Sequence, residues 1–211
     1  NVVIFRNDKV SIETLESLRP VNMVISPGPG HPLTDAGISL ACIKHFGVQI
    51  PILGICMGLQ CVTVAFGGVV SGAGEIFHGK TSMMQHDGCG LFAGLSTSVP
   101  ITGTRYHSLC AQIDAVPDVL REIAHVDSGV VMGLRHKTYT IEAVQYHPES
   151  VMSEYGHEMV RNFLSWRGGT WAENPHVLNT PASAGPSTSE SILTRIFRQR
   201  KLDVAQSQTI P

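Results

Sequence analysis

Ile52-Leu53-Gly54-Ile55-Cys56-Met57-Gly58-Leu59-Gln60 decides how this chain is read. An apolar run of strand length enters a Gly-x-Cys-x-Gly corner, and a helical pattern leaves it. A cysteine on such a strand-to-helix turn is pushed up on a tight bend, and the flanking glycines let the backbone turn without crowding it. The amide after the cysteine and the helix N-terminus behind it both favour negative charge, which suits a thiolate and a developing oxyanion. The alternative for the pentapeptide alone is a buried structural cysteine.

Outward from that corner the chain alternates strand and helix. Val2-Val3-Ile4-Phe5 reads as a strand, and Ser11 caps a short helix through Leu18 that Pro20 stops. Met23-Val24-Ile25 reads as a strand, Thr34 to Phe46 as a helix and Ile50 to Ile55 as the strand before Cys56. This βαβαβ order predicts an α/β fold with a mainly parallel central sheet flanked by helices. A composition with 43% hydrophobic and 15% charged residues fits strands buried on both faces. Gly47 to Gly74 carries no charge, but Gln49, Pro51, Gln60 and its glycines divide it into strand, turn and short helix, which argues against a membrane span. From about 68 to 145 short strands and Gly-marked turns dominate, and Thr140 to Tyr146 reads as a strand that delivers His147. Met152, Tyr155, Met159, Phe163 and Trp166 then recur at helical spacing as a packing stripe that Gly168-Gly169 ends. Residues 169–190 read as a linker, and a basic amphipathic helix is expected from Ser191.

A formal net charge of −2 makes no electrostatic case for nucleic acid. Cys42, Cys56, Cys61, Cys89 and Cys110 are odd in number and lack CxxC spacing, so neither a disulfide framework nor a zinc site is expected, and a reducing, cytoplasmic setting is the simplest. No signal peptide opens the sequence.

Cys56 needs a base, and the best candidate is His147 in Tyr146-His147-Pro148-Glu149-Ser150. Both residues follow strands, and the carboxyl ends of parallel strands line one crevice. Glu149 can orient the imidazole and stabilise its charged form, giving a Cys–His–Glu relay; the alternative is a solvated loop. Ser26-Pro27-Gly28-Pro29-Gly30 also follows a strand, and its stiffened turn exposes amides that suit an oxyanion or a carboxylate. Gly28-x-Gly30 is no dinucleotide fingerprint, because Leu33 stands at the third glycine's place. Gly74-Glu75-Ile76-Phe77-His78-Gly79-Lys80-Thr81 satisfies the phosphate-loop pattern, yet the residues after it read as strand and turn where a phosphate cradle needs a helix.

Together the Ser26–Gly30, Gly54–Gln60, Arg105-Tyr106-His107-Ser108-Leu109 and His147–Ser150 motifs resemble the class I, triad-type glutamine amidotransferases, in that family's order. His78–Ser82 and His86-Asp87-Gly88 resemble the anthranilate synthase component II and aminodeoxychorismate synthase branch. The resemblance covers 1–168 and implies a flavodoxin-like fold whose first strand-helix unit would precede Asn1 to Phe5. It implies Cys56 as nucleophile, His147 as base and acid, and Glu149 as orienter. It implies Gly28, Pro29, Gly30, Met57, Gln60, Ser108 and Leu109 as L-glutamine-binding positions, with no metal and no cofactor in this domain. Ammonia would pass to anthranilate synthase component I, a chorismate-binding subunit expected to use Mg2+. Residues 191–211 resemble the opening of indole-3-glycerol-phosphate synthase, as in fungal multifunctional tryptophan biosynthesis proteins. The aminodeoxychorismate branch and a non-catalytic amidotransferase-like scaffold are the rival readings.

Overall fold

The computed structural model describes residues 2–175, 177 and 178. In chain order its main elements are α1 (Ile12–Ser17), β1 (Met23–Ile25), α2 (Ser39–Phe46), β2 (Ile52–Ile55) and α3 (Met57–Ala65). These are followed by β3 (Val70–Gly72), β4 (Lys80–His86), β5 (Ile101–Arg105) and β6 (Leu109–Ala111). The last are β7 (Leu120–His125), β8 (Val131–His136), β9 (Ile141–Val144) and α4 (Gly156–Ser165).

Seven strands form one sheet in the order β1-β2-β9-β8-β7-β4-β5, and β3 pairs with β6 separately. The α/β class is as the sequence predicts, and the parallel strands are β1, β2 and β9. From β9 across to β5 every pairing is antiparallel, contributed by the Gly-marked middle of the chain. β2 and β9 are buried at all four positions, as strands covered on both faces must be. Their side chains alternate between two cores. Ile52, Ile141 and Ala143 pack with Cys42, Ile43 and Phe46 of α2 and Leu59 and Val62 of α3. Leu53, Val144 and Met132 pack with Met159 and Phe163 of α4 and with Trp166.

Several local expectations shift. Val2-Val3-Ile4-Phe5 joins no ladder among the described residues and leaves Val2 and Ile4 almost fully exposed; a strand exists only where a neighbour takes its hydrogen bonds. α2 begins at Ser39 rather than Thr34, because the Asp35 carboxylate accepts the His31 amide and the Thr34 hydroxyl and folds 31–35 into a turn. Met152 and Tyr155 fall outside α4 and are exposed, so the buried stripe is Met159, Phe163 and Trp166. The phosphate-loop pattern connects β3 to β4 and is followed by strand, which leaves no helix N-terminus for a phosphate.

The described part of the expected linker is packed structure. Trp171 is buried, donates from Nε1 to the His136 carbonyl at 2.7 Å and meets Trp166 edge-on at 5.1 Å. Thr170 and Glu173 close a capping box around the 3-10 turn Trp171–Glu173, and the Val177 carbonyl accepts the Gly90 amide at 3.2 Å. Polar composition read as linker because the two-residue tryptophan anchor carries no periodicity. The remaining linker residues and the helix expected from Ser191 lie outside the described residues.

A buried ion network pins the turn beside this anchor. Arg135 pairs with Glu142 across the β8–β9 ladder and with Asp87 at 2.7 Å, Arg121 reaches the same Asp87 oxygen at 2.8 Å, and Glu142 accepts the Leu91 amide at 2.8 Å. Burial pushes the Glu142 carboxyl up to about 7 against the pull of Arg135. Asp87, part of the His86-Asp87-Gly88 motif, thus has a structural partner in the core.

Trp171→Ala is expected to cost about 3–5 kcal/mol in urea denaturation, the loss for a truncated core tryptophan. An unchanged midpoint would mean that this segment is linker after all.

Candidate active site

The corner after β2 is built by close approach. A methyl group on Gly58 would lie 2.3 Å from the Ile25 carbonyl oxygen, and one on Gly54 would lie 2.6 Å from the Gly58 backbone. Helix α3 therefore sits against β1 and β2 only because both residues lack a side chain. Between them Cys56 adopts φ 53° and ψ −102°, a conformation that L side chains rarely hold. Its amide donates to the Val144 carbonyl at 2.8 Å, which locks the corner to β9. The amides of Met57 and Gly58 open α3, where no intrahelical acceptor exists for them.

β9 delivers the second group. Ile55 is in register with Val144, so the residues that follow the two strands emerge side by side. His147 donates its amide to the Thr104 carbonyl at 2.9 Å, and its own carbonyl accepts the Ser153 hydroxyl at 2.5 Å. Its Nδ1 lies 2.7 Å from Glu149 Oε1, and the Tyr106 ring meets the imidazole edge-on at 5.3 Å. Nε2, the nitrogen turned away from Glu149, is buried without a well-formed hydrogen bond. The Cys56 sulfur, then Glu149, nevertheless outweigh desolvation and raise the imidazole to about 9. The two observations together put the sulfur close enough to act on the imidazole without a well-aligned bond to Nε2. Burial would raise the Glu149 carboxyl, but its bond to His147 and the two backbone and charge contributions win, and it lies below its usual value.

The remaining expected positions surround this pair. Met57 lies under the Ser26–Gly30 turn, where its sulfur would touch a Cβ placed on Gly28 at 3.2 Å. Gly28, Pro29 and Gly30 are exposed, with their turn above the α3 N-terminus. Gln60 donates to the Leu109 carbonyl at 3.2 Å, which brings β6 to α3, and Ser108 uses its carbonyl to accept the Ala73 amide at 2.8 Å. The geometry brings Cys56, Met57, Gln60, Leu109, His147 and Glu149 together, with Ser108 and the 28–30 turn on the rim.

The family profile described as "Glutamine amidotransferase class-I" matches residues 1–166. The chain belongs to the class I glutamine amidotransferases, a family of enzymes. It is 46% identical to anthranilate synthase component 2 of Pseudomonas aeruginosa, over 82% of this chain and 87% of that one. It is 48% identical to a multifunctional tryptophan biosynthesis protein of Phycomyces blakesleeanus across 100% of this chain, and spans 30% of that protein's length. The crystal structure of a protein from Thermoplasma acidophilum, provisionally assigned as one of the subunits of GMP synthase, superposes with a TM-score of 0.63 at 28% identity, over 75% of this chain and 76% of the other.

Within this amidotransferase, sequence reading overlooked Gln145 and Tyr106. Gln145 is fully buried and donates from Nε2 to Cys56 Sγ at 3.6 Å. The one signal for it was a carboxamide directly after a strand with no wet face, β9, whose four residues are all buried. Tyr106 stands within the Arg105–Leu109 motif, where nothing in the sequence gave it a role of its own.

The raised imidazole fixes a pH dependence. A histidine that titrates near 6.5 when unfolded and about 9 when folded contributes stability fully present below about 6.5 and lost as pH rises through about 9. Urea midpoints of the wild type and of His147→Asn are expected to differ most below pH ~6.5 and to converge above pH ~9. A gap that is constant or widens with pH would contradict the assignment.

Proposed function

We propose that this amidotransferase hydrolyses L-glutamine to glutamate and ammonia through Cys56, His147 and Glu149, and supplies the ammonia to an anthranilate synthase component I that aminates chorismate. The observation that carries the reading is the joining of the Cys56 corner and the His147–Glu149 pair by two adjacent parallel strands. The similarity to anthranilate synthase component 2 supports the branch.

His147 Nε2 takes the Cys56 proton, and the sulfur attacks the side-chain amide carbon of glutamine. The oxyanion forms beside the Met57 amide at the head of α3 and the Gly28–Gly30 turn. Collapse of the tetrahedral species breaks the C–N bond, and His147 returns its proton to the leaving nitrogen, which departs as ammonia. Water, deprotonated by His147, then attacks the thioester, and glutamate leaves as the sulfur recovers its proton. Glu149 holds Nδ1 and offsets the imidazolium charge throughout. Gln60, Ser108 and Leu109 on the opposite wall bound the glutamine site. The domain needs no cofactor for these steps; Mg2+ belongs to the chorismate chemistry of the partner. The similarity to fungal multifunctional proteins supports a fused arrangement in which residues 179–190 link the amidotransferase to an indole-3-glycerol-phosphate synthase unit opening at 191.

Cys56→Ala in the full chain is expected to lower glutamine hydrolysis by about a thousandfold or more. Mixed with the partner synthase, it is expected to abolish glutamine-driven but not ammonia-driven formation of anthranilate. Retained glutaminase would dismiss the nucleophile, and aminodeoxychorismate as product would move the protein to the sister branch.

A further inference from the structure

We infer that Gln145 is a catalytic residue of this site: its carboxamide donates a hydrogen bond to the Cys56 sulfur and stabilises the negative charge that forms there when His147 takes the thiol proton. The inference rests on Cys56 being the nucleophile and adds a group that touches the reacting atom.

The direction of that hydrogen bond follows from one backbone carbonyl. The Leu109 oxygen can only accept. It receives Gln60 Nε2 at 3.2 Å and His107 Nδ1 at 2.9 Å. Gln60 must therefore turn its NH2 group toward Leu109, and the same nitrogen lies 3.4 Å from Gln145 Oε1. A nitrogen donor there requires the Gln145 oxygen to face Gln60, so the Gln145 NH2 faces Cys56 Sγ, at 3.6 Å. A flipped Gln145 would set two NH2 groups against each other and the oxygen lone pairs against the sulfur charge.

His107 strengthens the anchor at the far end. With Nδ1 bonded to Leu109, its Nε2 is free to accept Arg105 Nε at 3.0 Å. Burial first, and the Arg105 charge second, lower the imidazole to about 4, so it stays neutral and keeps both bonds. Arg105 is itself buried, paired to Glu75 at 2.7 Å and stacked on Phe77 at 3.6 Å from the ring centroid. Gln60 and Gln145 are likewise buried, so the pair of amides cannot exchange its partners for water. His147, tied to Glu149, faces the sulfur as a titratable group; Gln145 is a neutral donor from β9's end that stabilises the thiolate without competing for the proton.

The arrangement also revises Gln60. Its side-chain nitrogen is committed to Leu109 and Gln145, which makes it a positioning residue that orients the donor on the nucleophile as well as a wall of the glutamine site.

The test is alkylation of Cys56 by iodoacetamide in the full chain, read by peptide mass spectrometry across pH, beside steady-state glutaminase. Gln145→Met keeps the volume and removes the donor. It is expected to slow Cys56 alkylation about tenfold near neutral pH, move the rate profile to higher pH and lower kcat more than it raises KM. Gln145→Glu keeps the acceptor for Gln60 but faces the sulfur with oxygen, and the same loss is expected; it decides the matter if Gln145→Met does not fold. Gln60→Met is expected to shift the profile in the same direction by less, and the Gln60/Gln145 double variant to be no slower than Gln145→Met alone. Folded Gln145 variants with the wild-type alkylation rate and pH profile would overturn the inference. If Cys56→Ala kept its glutaminase, the fault would lie in the nucleophile reading instead.

Discussion

The site depends on the close approach of Gly58 to the Ile25 carbonyl, whose oxygen would lie 2.3 Å from a Cβ placed on that glycine. That contact seats α3 on β1, and the Gly54 contact seats it on β2. With the helix so close, the chain has no path between strand and helix except a single residue in a left-handed, unfavourable conformation, and Cys56 is that residue. The strain is offset by the hydrogen bond from its amide to Val144 and by two fully buried strands that cannot move apart without exposing both cores. The cysteine is presented at the crest of the sheet, at the head of a helix, as a consequence of packing.

Parallel pairing does the rest of the assembly. Because β2 and β9 run side by side with Ile55 opposite Val144, the residues just beyond them share one crevice without any long loop to order. His147 is then held at its backbone by Thr104 and Ser153, at its ring by Glu149 and Tyr106, and electrically by the Cys56 sulfur. The opposite wall comes from β5, β6 and the turn between them, which carry Thr104, Leu109 and Tyr106, each in contact with one of the central groups or their supports. The parallel and antiparallel pairings therefore each supply one half of the site, and the side chain of Gln60 spans the seam.

What could be read in advance follows from how local each signal is. The Gly-x-Cys-x-Gly corner and the cap at Ser11 are dictated by near neighbours and stand where the sequence places them, and the strands expected at 50–55 and 140–146 form over the shorter spans 52–55 and 141–144. Cys56, His147 and Glu149 were legible because strand order brings their ends together. Val2 to Phe5 has strand chemistry but no neighbour to pair with among the described residues, and Trp171 anchors a polar stretch through its bond to His136, 35 positions away. Neither fact is written in a window of ten residues. Gln145 was hidden for the same reason: a lone amide gains its meaning only from the sulfur of Cys56, 89 positions away.

The proposed chemistry turns on sulfur at 56 and imidazole at 147 behaving as one proton-sharing pair. The most direct measurement is the NMR titration of the His147 ring nitrogens in the wild type and in Cys56→Ala. With the sulfur present the imidazole is expected to titrate at about 9, and without it to fall back toward the ordinary value near 6.5. Identical titrations in the two proteins would contradict the pairing and, with it, the route from this fold to its chemistry.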